Sequence, residues 1–221
     1  MSLPTPYYSR DGIVIYHGDC LALLPELPSG SVDAVVCDPP YGLGDLLHRP
    51  GRGANSWQVH FSTGRPEWDT AVDVAAIVEL FNAIPIIVWG GHLFGLPKSR
   101  GWLVWDKVSR GWTSGECELA WTNLDQPVRA FDYARCELAN EGKQHPTQKP
   151  LPLMVWCLSF LPEGVIVFDP FCGSGTTAVA CIKTGRKCIG MEISEQYAEI
   201  AARRCEEAFD AQGLFRQGET P

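Results

Sequence analysis

Two short stretches of this chain carry side chains whose types and spacing suit chemistry. The first is Asp38-Pro39-Pro40-Tyr41-Gly42, directly after the apolar run Val32–Cys37. Two prolines fix the backbone and offer carbonyl oxygens without N–H donors. A carboxylate beside such carbonyls is an acceptor-only pocket, suited to holding an amino group by its hydrogens. Tyr41 adds a flat ring for stacking. The same residues equally suit a rigid turn at a strand end, since Asp-Pro is common in turns. Taken alone, the motif leaves both readings open.

The second stretch is Asp169-Pro170-Phe171-Cys172-Gly173-Ser174-Gly175-Thr176-Thr177, directly after Val165–Phe168. Its glycines allow close backbone approach, and a helix pattern begins right behind them. Glu192 follows the next apolar run, where a carboxylate is placed to accept hydrogen bonds from ribose hydroxyls. With Ala178 the stretch also meets the loose G-x-G-x-x-A pattern of dinucleotide enzymes. By itself it implies only an adenosine-containing cofactor.

The elements that must position these motifs are legible as periodicity. Continuous apolar runs at Ile13–Tyr16, Val32–Cys37, Ile84–Trp89, Trp102–Trp105, Val165–Phe168 and Lys187–Met191 read as buried parallel strands. Helices are expected over Thr70–Ala83, Pro150–Phe160, Thr176–Thr184 (closed by Gly185), and from a Ser194 cap to about Ala211. Strand alternating with helix predicts an α/β fold, a doubly wound, mostly parallel Rossmann-like sheet with helices on both faces. Residues 1–221 are expected to form a single domain. Segments 43–69 and 108–145, rich in Gly, Trp and charge and poor in periodicity, are its expected loop insertions. Both motifs fall at strand carboxyl ends, so one crevice could hold a cofactor and an amino acceptor together. A hydride-transfer enzyme has no need of the Asp-Pro-Pro-Tyr pocket.

Composition narrows the classes. The 221 residues, 45% hydrophobic and 20% charged, are those of an ordinary globular protein. No apolar run is long enough to span a bilayer and the N-terminus lacks a secretory signal, so a cytoplasmic location without membrane attachment is expected. The nine cysteines form no CxxC pair and are odd in number, which excludes a zinc knuckle or a disulfide framework; no metal is expected. The net charge of −8 opposes a nucleic-acid partner. Its distribution softens that objection. Lys98, Arg100, Lys107 and Arg110 stand against only Asp106, and His48, Arg49, Arg52, His60 and Arg65 against only Asp45. Two basic loops on an acidic body suggest a binding face.

The motifs together resemble the amino-methylating DNA methyltransferases, specifically their beta class, in which D-P-P-Y precedes the target-recognition segment and F-x-G-x-G comes last. This chain keeps that order, with Asp38–Tyr41, then 43–145, then Phe171–Gly175. His145-Pro146-Thr147-Gln148-Lys149-Pro150 is similar to the family's linker motif. Tyr16-His17-Gly18-Asp19-Cys20 looks like its segment carrying an acidic residue toward the cofactor adenine.

The resemblance implies transfer of a methyl group from S-adenosylmethionine to the exocyclic amino group of a DNA base flipped out of the duplex. Asp38, Pro39, Pro40 and Tyr41 would form the catalytic motif. Asp38 and the Pro39 carbonyl would hold the amino group and Tyr41 would stack on the base. Cofactor contacts are implied for Asp19, Cys20, Asp38, Thr147, Lys149, Asp169, Phe171, Cys172, Gly173, Ser174, Gly175, Thr176, Thr177, Glu192 and Ile193. Thr147 and Lys149 would lie by the methionine end, Glu192 on the ribose and Asp19 near the adenine. The family's cytosine enzymes more often carry Ser in place of Asp38, so adenine N6 is expected, with cytosine N4 as the alternative. RNA or protein-glutamine methylation, or a nicotinamide enzyme, rank lower. A Pro-Cys dipeptide, the nucleophile of the carbon-5 cytosine enzymes, does not occur. Relatives often pair, so a homodimer is a further expectation.

Overall fold

The structure, a computed structural model, describes residues 2–41, 72–110, 115–134, 137 and 148–217, the last four without their side chains. Its elements run β1 (Tyr8–Arg10), β2 (Ile13–His17), α1 (Cys20–Leu23), β3 (Ala34–Cys37), α2 (Val74–Leu80), β4 (Ile86–Trp89) and β5 (Trp102–Asp106). There follow β6 (Cys117–Thr122), β7 (Arg129–Asp132), α3 (Leu151–Leu158), β8 (Ile166–Asp169), α4 (Thr176–Lys183), β9 (Lys187–Glu192) and α5 (Glu195–Gln217).

Among the described residues nine strands form one sheet in the order β1-β2-β9-β8-β3-β4-β6-β5-β7. The central block from β2 to β4 is parallel throughout, whereas β1 and β6 run antiparallel to their neighbours. β7 pairs parallel with β5, so β5 and β7 point the same way as the central block.

The continuous apolar strands are explained by burial on both faces. Ala34 and Val36 of β3 pack with α3, α4 and α5, while Val35 and Cys37 pack with α2 on the other face. Each fully buried aliphatic side chain of this kind stabilises by about 1.5–3 kcal/mol. From β3 the chain crosses through α2 to β4 on one side. From β8 it crosses through α4 to β9 on the other. Right-handed crossovers in opposite directions place the helices on opposite faces and open a crevice beyond the β8 and β3 carboxyl ends.

Local boundaries follow from chemistry. α2 starts at Val74, later than the Thr70 expected, because the Asp73 carboxylate accepts from Ala76 N at 3.0 Å and caps the helix. β4 starts only after Pro85, which lacks the N–H donor a ladder uses. The segment 108–145, expected as a loop, holds β6 and β7. Those strands show little continuous hydrophobicity (β7 is mostly exposed), and backbone pairing with β5 supplies their order. The segment 43–69 lies outside the described residues.

The basic face expected from Lys98, Arg100, Lys107 and Arg110 does not form. Lys98 and Arg100 precede β5 and Lys107 and Arg110 follow it, so the two pairs sit at opposite ends of that strand. Arg100 pairs with Asp125 at 2.9 Å, Arg110 grips Asp106 through two bonds of 2.8 and 2.7 Å, and Lys107 is buried against Glu118. The second basic stretch, from His48 to Arg65, lies outside the described residues. Among the described residues no helix is long and apolar enough to cross a membrane.

Candidate active site

β3 and β8 are neighbours in parallel register, with Ala34 beside Val167 and Val35 beside Phe168. Both motifs therefore leave the sheet side by side, Asp38–Tyr41 from β3 and Asp169–Thr177 from β8. The Cys37 thiol senses both. Burial pushes it well up, and the Asp169 and Asp38 carboxylates add to the rise.

The Asp38 carboxylate is held at both oxygens. Oδ1 accepts from the Tyr41 hydroxyl at 2.8 Å, and Oδ2 accepts from Lys149 Nζ at 2.5 Å. Burial raises the Asp38 carboxyl above its ordinary range, opposed chiefly by the Lys149 ammonium. Lys149 is 5% exposed and remains an ammonium: burial lowers it, but Asp38 and Glu118 outweigh burial. Removing one partner of such a buried pair leaves an uncompensated charge, a loss of about 3–5 kcal/mol. Pro39 is buried and Pro40 half-buried, so the turn is rigidly seated. Tyr41 packs its ring over Gly90 at the end of β4, with Phe94 tilted against it at 6.2 Å.

In the second loop Phe171 N donates to Asp169 Oδ1 at 3.0 Å, and the side chain of Thr177 also bonds that carboxylate. Glu192 accepts from Gly173 N at 2.7 Å and from Ser194 N at 2.8 Å, so its oxygens close the loop. Burial raises the Glu192 carboxyl, opposed by those backbone donors. The two glycines differ in purpose. A Cβ on Gly175 would stand 2.8 Å from Ala201 Cβ, so this position serves the seating of α5. A Cβ on Gly173 would meet nothing nearer than the Phe171 carbonyl at 3.9 Å. Only Gly173 leaves the loop open for a ligand to approach. Cys172 is buried and its Sγ lies against Gly190 of β9, a packing role, and Thr176 and Thr177 are buried at the start of α4.

Asp19 caps α1 by accepting from Leu21 N at 2.9 Å, and Cys20 is buried with its thiol pushed up by burial to about 12. Ile193, 54% exposed, and Leu21, 45% exposed, leave apolar surface close to these carboxylates. Thr147 and His145 lie outside the described residues.

Gln148 and Lys149 tie the motifs together. Ser174 Oγ donates to Gln148 Oε1 at 3.2 Å while the next residue reaches Asp38. Lys149, expected at the methionine end of a cofactor, here bridges Asp38 and Glu118, the latter at 3.2 Å. Sequence reasoning missed Glu118 and Gly90, and read Lys107 as part of a basic surface loop. Glu118 and Lys107 carried no motif, and only pairing of antiparallel β6 brings Glu118 to this edge. Trp89-Gly90-Gly91 is a strand followed by two glycines, a weak signal that close packing was needed there.

Such a paired arrangement can hold an amino group at one strand end and a nucleoside at the next. A family model described as DNA methylase matches residues 98–203, taking in Lys149, the Asp169–Thr177 loop and Glu192. Over that stretch, just under half of the chain, the sequence is similar to DNA methylases. Similar proteins include the DNA adenine methyltransferase YhdJ of Escherichia coli, 28% identical over 91% of this chain and 85% of that protein. The Type II methyltransferase M2.DpnII of Streptococcus pneumoniae is 27% identical over 91% and 92%. Among solved structures, the cytosine-N4-specific PvuII DNA methyltransferase shares the fold with a TM-score of 0.59, 19% identity and coverage of 97% of this chain and 96% of that one. The M1.HpyAVI–SAM complex matches with a TM-score of 0.53 at 22% identity, over 86% and 98%. The chain thus keeps the α/β architecture of these structural neighbours.

Proposed function

We propose that this protein transfers a methyl group from S-adenosylmethionine to the N6 amino group of adenine in DNA, as a cytoplasmic enzyme. The observation that carries the reading is the adjacency of Asp38–Tyr41 and Asp169–Gly175 at neighbouring strand ends, bridged by Gln148-Lys149. The residues fit the cofactor: the loop is open at Gly173, the buried Glu192 carboxylate has acceptor capacity for ribose hydroxyls, and Ile193 and Leu21 leave apolar surface for adenine. Bound there, the cofactor supplies an electrophilic methyl on a sulfonium.

The protein's part is holding and orienting. A base amine is a poor nucleophile because its lone pair is delocalised into the ring. Hydrogen bonds from that amine to Asp38 and the Pro39 carbonyl favour a tetrahedral nitrogen with a directed lone pair. Tyr41 stacks on the flipped base, offsetting part of an extrusion cost of a few kcal/mol. Orientation in line with the methyl supplies most of the remaining gain. When the cofactor is bound, methyl transfer would leave S-adenosylhomocysteine, and the proton lost from the nitrogen would pass to solvent by way of the Asp38 carboxylate that holds the amine. In the same reading the segments 43–69 and 108–145 contact the target, and two copies pair on DNA.

The test is transfer of labelled methyl to DNA, followed by digestion to nucleosides and weighing. N6-methyladenine in wild-type digests supports the reading. Methylcytosine alone favours cytosine N4, and label only in RNA or protein overturns it. Asp38→Ala should abolish transfer while cofactor affinity stays within about tenfold, since a lost hydrogen bond is worth ~1–2 kcal/mol. Light scattering with and without DNA tests the pairing.

A further inference from the structure

Asp38 is one end of a line of four alternating charges. Its Oδ2 meets Lys149 Nζ, which meets Glu118 Oε2 at 3.2 Å, and Glu118 Oε1 meets Lys107 Nζ at 2.7 Å. The lysines are 5% and 3% exposed at their side chains, so the line runs through the protein interior. Two cations balance two anions. Each Asp38 oxygen already holds one donor, Tyr41 on Oδ1 and Lys149 on Oδ2. Each oxygen keeps a second lone pair, but an arriving base amine meets an Oδ2 already engaged by an ammonium, and a charged donor bonds more strongly than a neutral one. Were Asp38 the sole anion near Lys149, the ammonium would crowd and weaken that acceptor most.

We propose that Glu118, itself fixed by Lys107, is a positioning residue that draws Lys149 toward β6 and so keeps an Asp38 oxygen available to the target amino group. This rests on the methyl-transfer reading above. Lys149 already lies within reach of both carboxylates, so a small displacement exchanges its bond to Asp38 for a tighter one to Glu118 without stranding a buried charge. Lys107 keeps Glu118 from moving in the opposite direction, and the 5.2 Å approach of Lys107 to the Trp105 ring anchors it in turn. Glu118 is held ionised: burial would raise it, but Lys149 and Lys107 together bring it to about 2.

The groups facing Asp38 are Lys149 and Glu118, the Tyr41 hydroxyl of its own turn, and the Asp169 carboxyl and Cys37 thiol from β8 and β3. Glu118 pushes the Asp38 carboxyl up and Lys149 pushes it down. Loss of either should move the acid limb of the rate profile, in opposite senses.

The experiment is steady-state methyl transfer to DNA across the acid limb, with cofactor affinity measured alongside. Glu118→Gln should raise KM for DNA about tenfold, leave cofactor affinity unchanged and shift the acid limb to lower pH. Lys149→Met should shift the limb to higher pH, and Glu118→Asp should return it toward wild type. If Glu118→Gln does not fold, the charge-balanced double variant Glu118→Gln/Lys107→Met is read for the same rise in KM. A wild-type KM with an unmoved limb in these variants overturns the positioning role, as do limbs that move in the same direction. Failure of the wild type to methylate DNA at all overturns the underlying reading instead.

Discussion

The Tyr41 ring rests directly on the backbone of Gly90: a Cβ at position 90 would stand 2.3 Å from the ring carbon Cε1. Gly90 also has φ +68, the left-handed region, which costs other residues about 1–2 kcal/mol. Gly90→Ala should therefore displace the Tyr41 ring from its turn. Turnover on DNA should fall on the order of a hundredfold, the scale for a misplacement of about 1 Å, with cofactor affinity kept. Wild-type turnover in this variant would contradict the seating of Tyr41 by β4.

The two parts of Tyr41 separate by substitution. Tyr41→Phe removes the 2.8 Å bond to Asp38, worth about 1 kcal/mol, and should lower kcat several-fold. Tyr41→Ala removes the ring as well and should be far more severe. Equal losses in kcat/KM would argue against stacking.

Asp169 ties stability to pH. Burial raises its carboxyl to about 7, with the Thr177 side chain and Phe171 N–H opposing. The folded protein thus holds a proton that the unfolded chain has already released, so this group's contribution to stability falls as pH rises from about 4 to about 7. Asp169→Asn can keep the acceptor to Phe171 N and carries no charge. In thermal unfolding its melting temperature should decline less between pH 5 and pH 8 than that of the wild type, corresponding to a stability difference on the order of a few kcal/mol. Parallel declines would contradict the raised carboxyl.

The Asp169–Thr177 loop is braced from α5. Arg204 Nη1 donates to the Ser174 carbonyl at 2.5 Å, to Ser174 Oγ at 2.9 Å and to Thr176 Oγ1 at 3.2 Å. Arg204→Met keeps much of the apolar stem and removes these bonds. Calorimetry should show cofactor affinity weakened about tenfold, with kcat at saturating cofactor nearly unchanged. A large loss of kcat at unchanged affinity would place the role of Arg204 elsewhere.

The expected strands at β2, β3, β4, β5, β8 and β9 all formed; β3 and β4 are buried on both faces, which writes continuous hydrophobicity into a short run. β7 escaped because it is an edge strand and mostly exposed, and β6, though it lies between β4 and β5, because its first half is exposed or half-buried and its polar residues interrupt the run. The supposed basic face of 98–110 misled for a related reason. Nearness along the chain hid a strand that separates its two halves to opposite ends.

What the sequence determined by itself is the chemistry that local order can encode: two motifs after two apolar runs, their order, and the helix start behind Gly175. Each is a property of neighbouring residues. What the tertiary structure decided is who meets whom. Lys149 reaches Asp38 across a separation of 111 residues, Glu118 reaches the crevice because β6 runs antiparallel, and Gly90 lies under Tyr41 because β3 and β4 pair. Such meetings depend on strand order and direction, which long-range packing selects and no local pattern records.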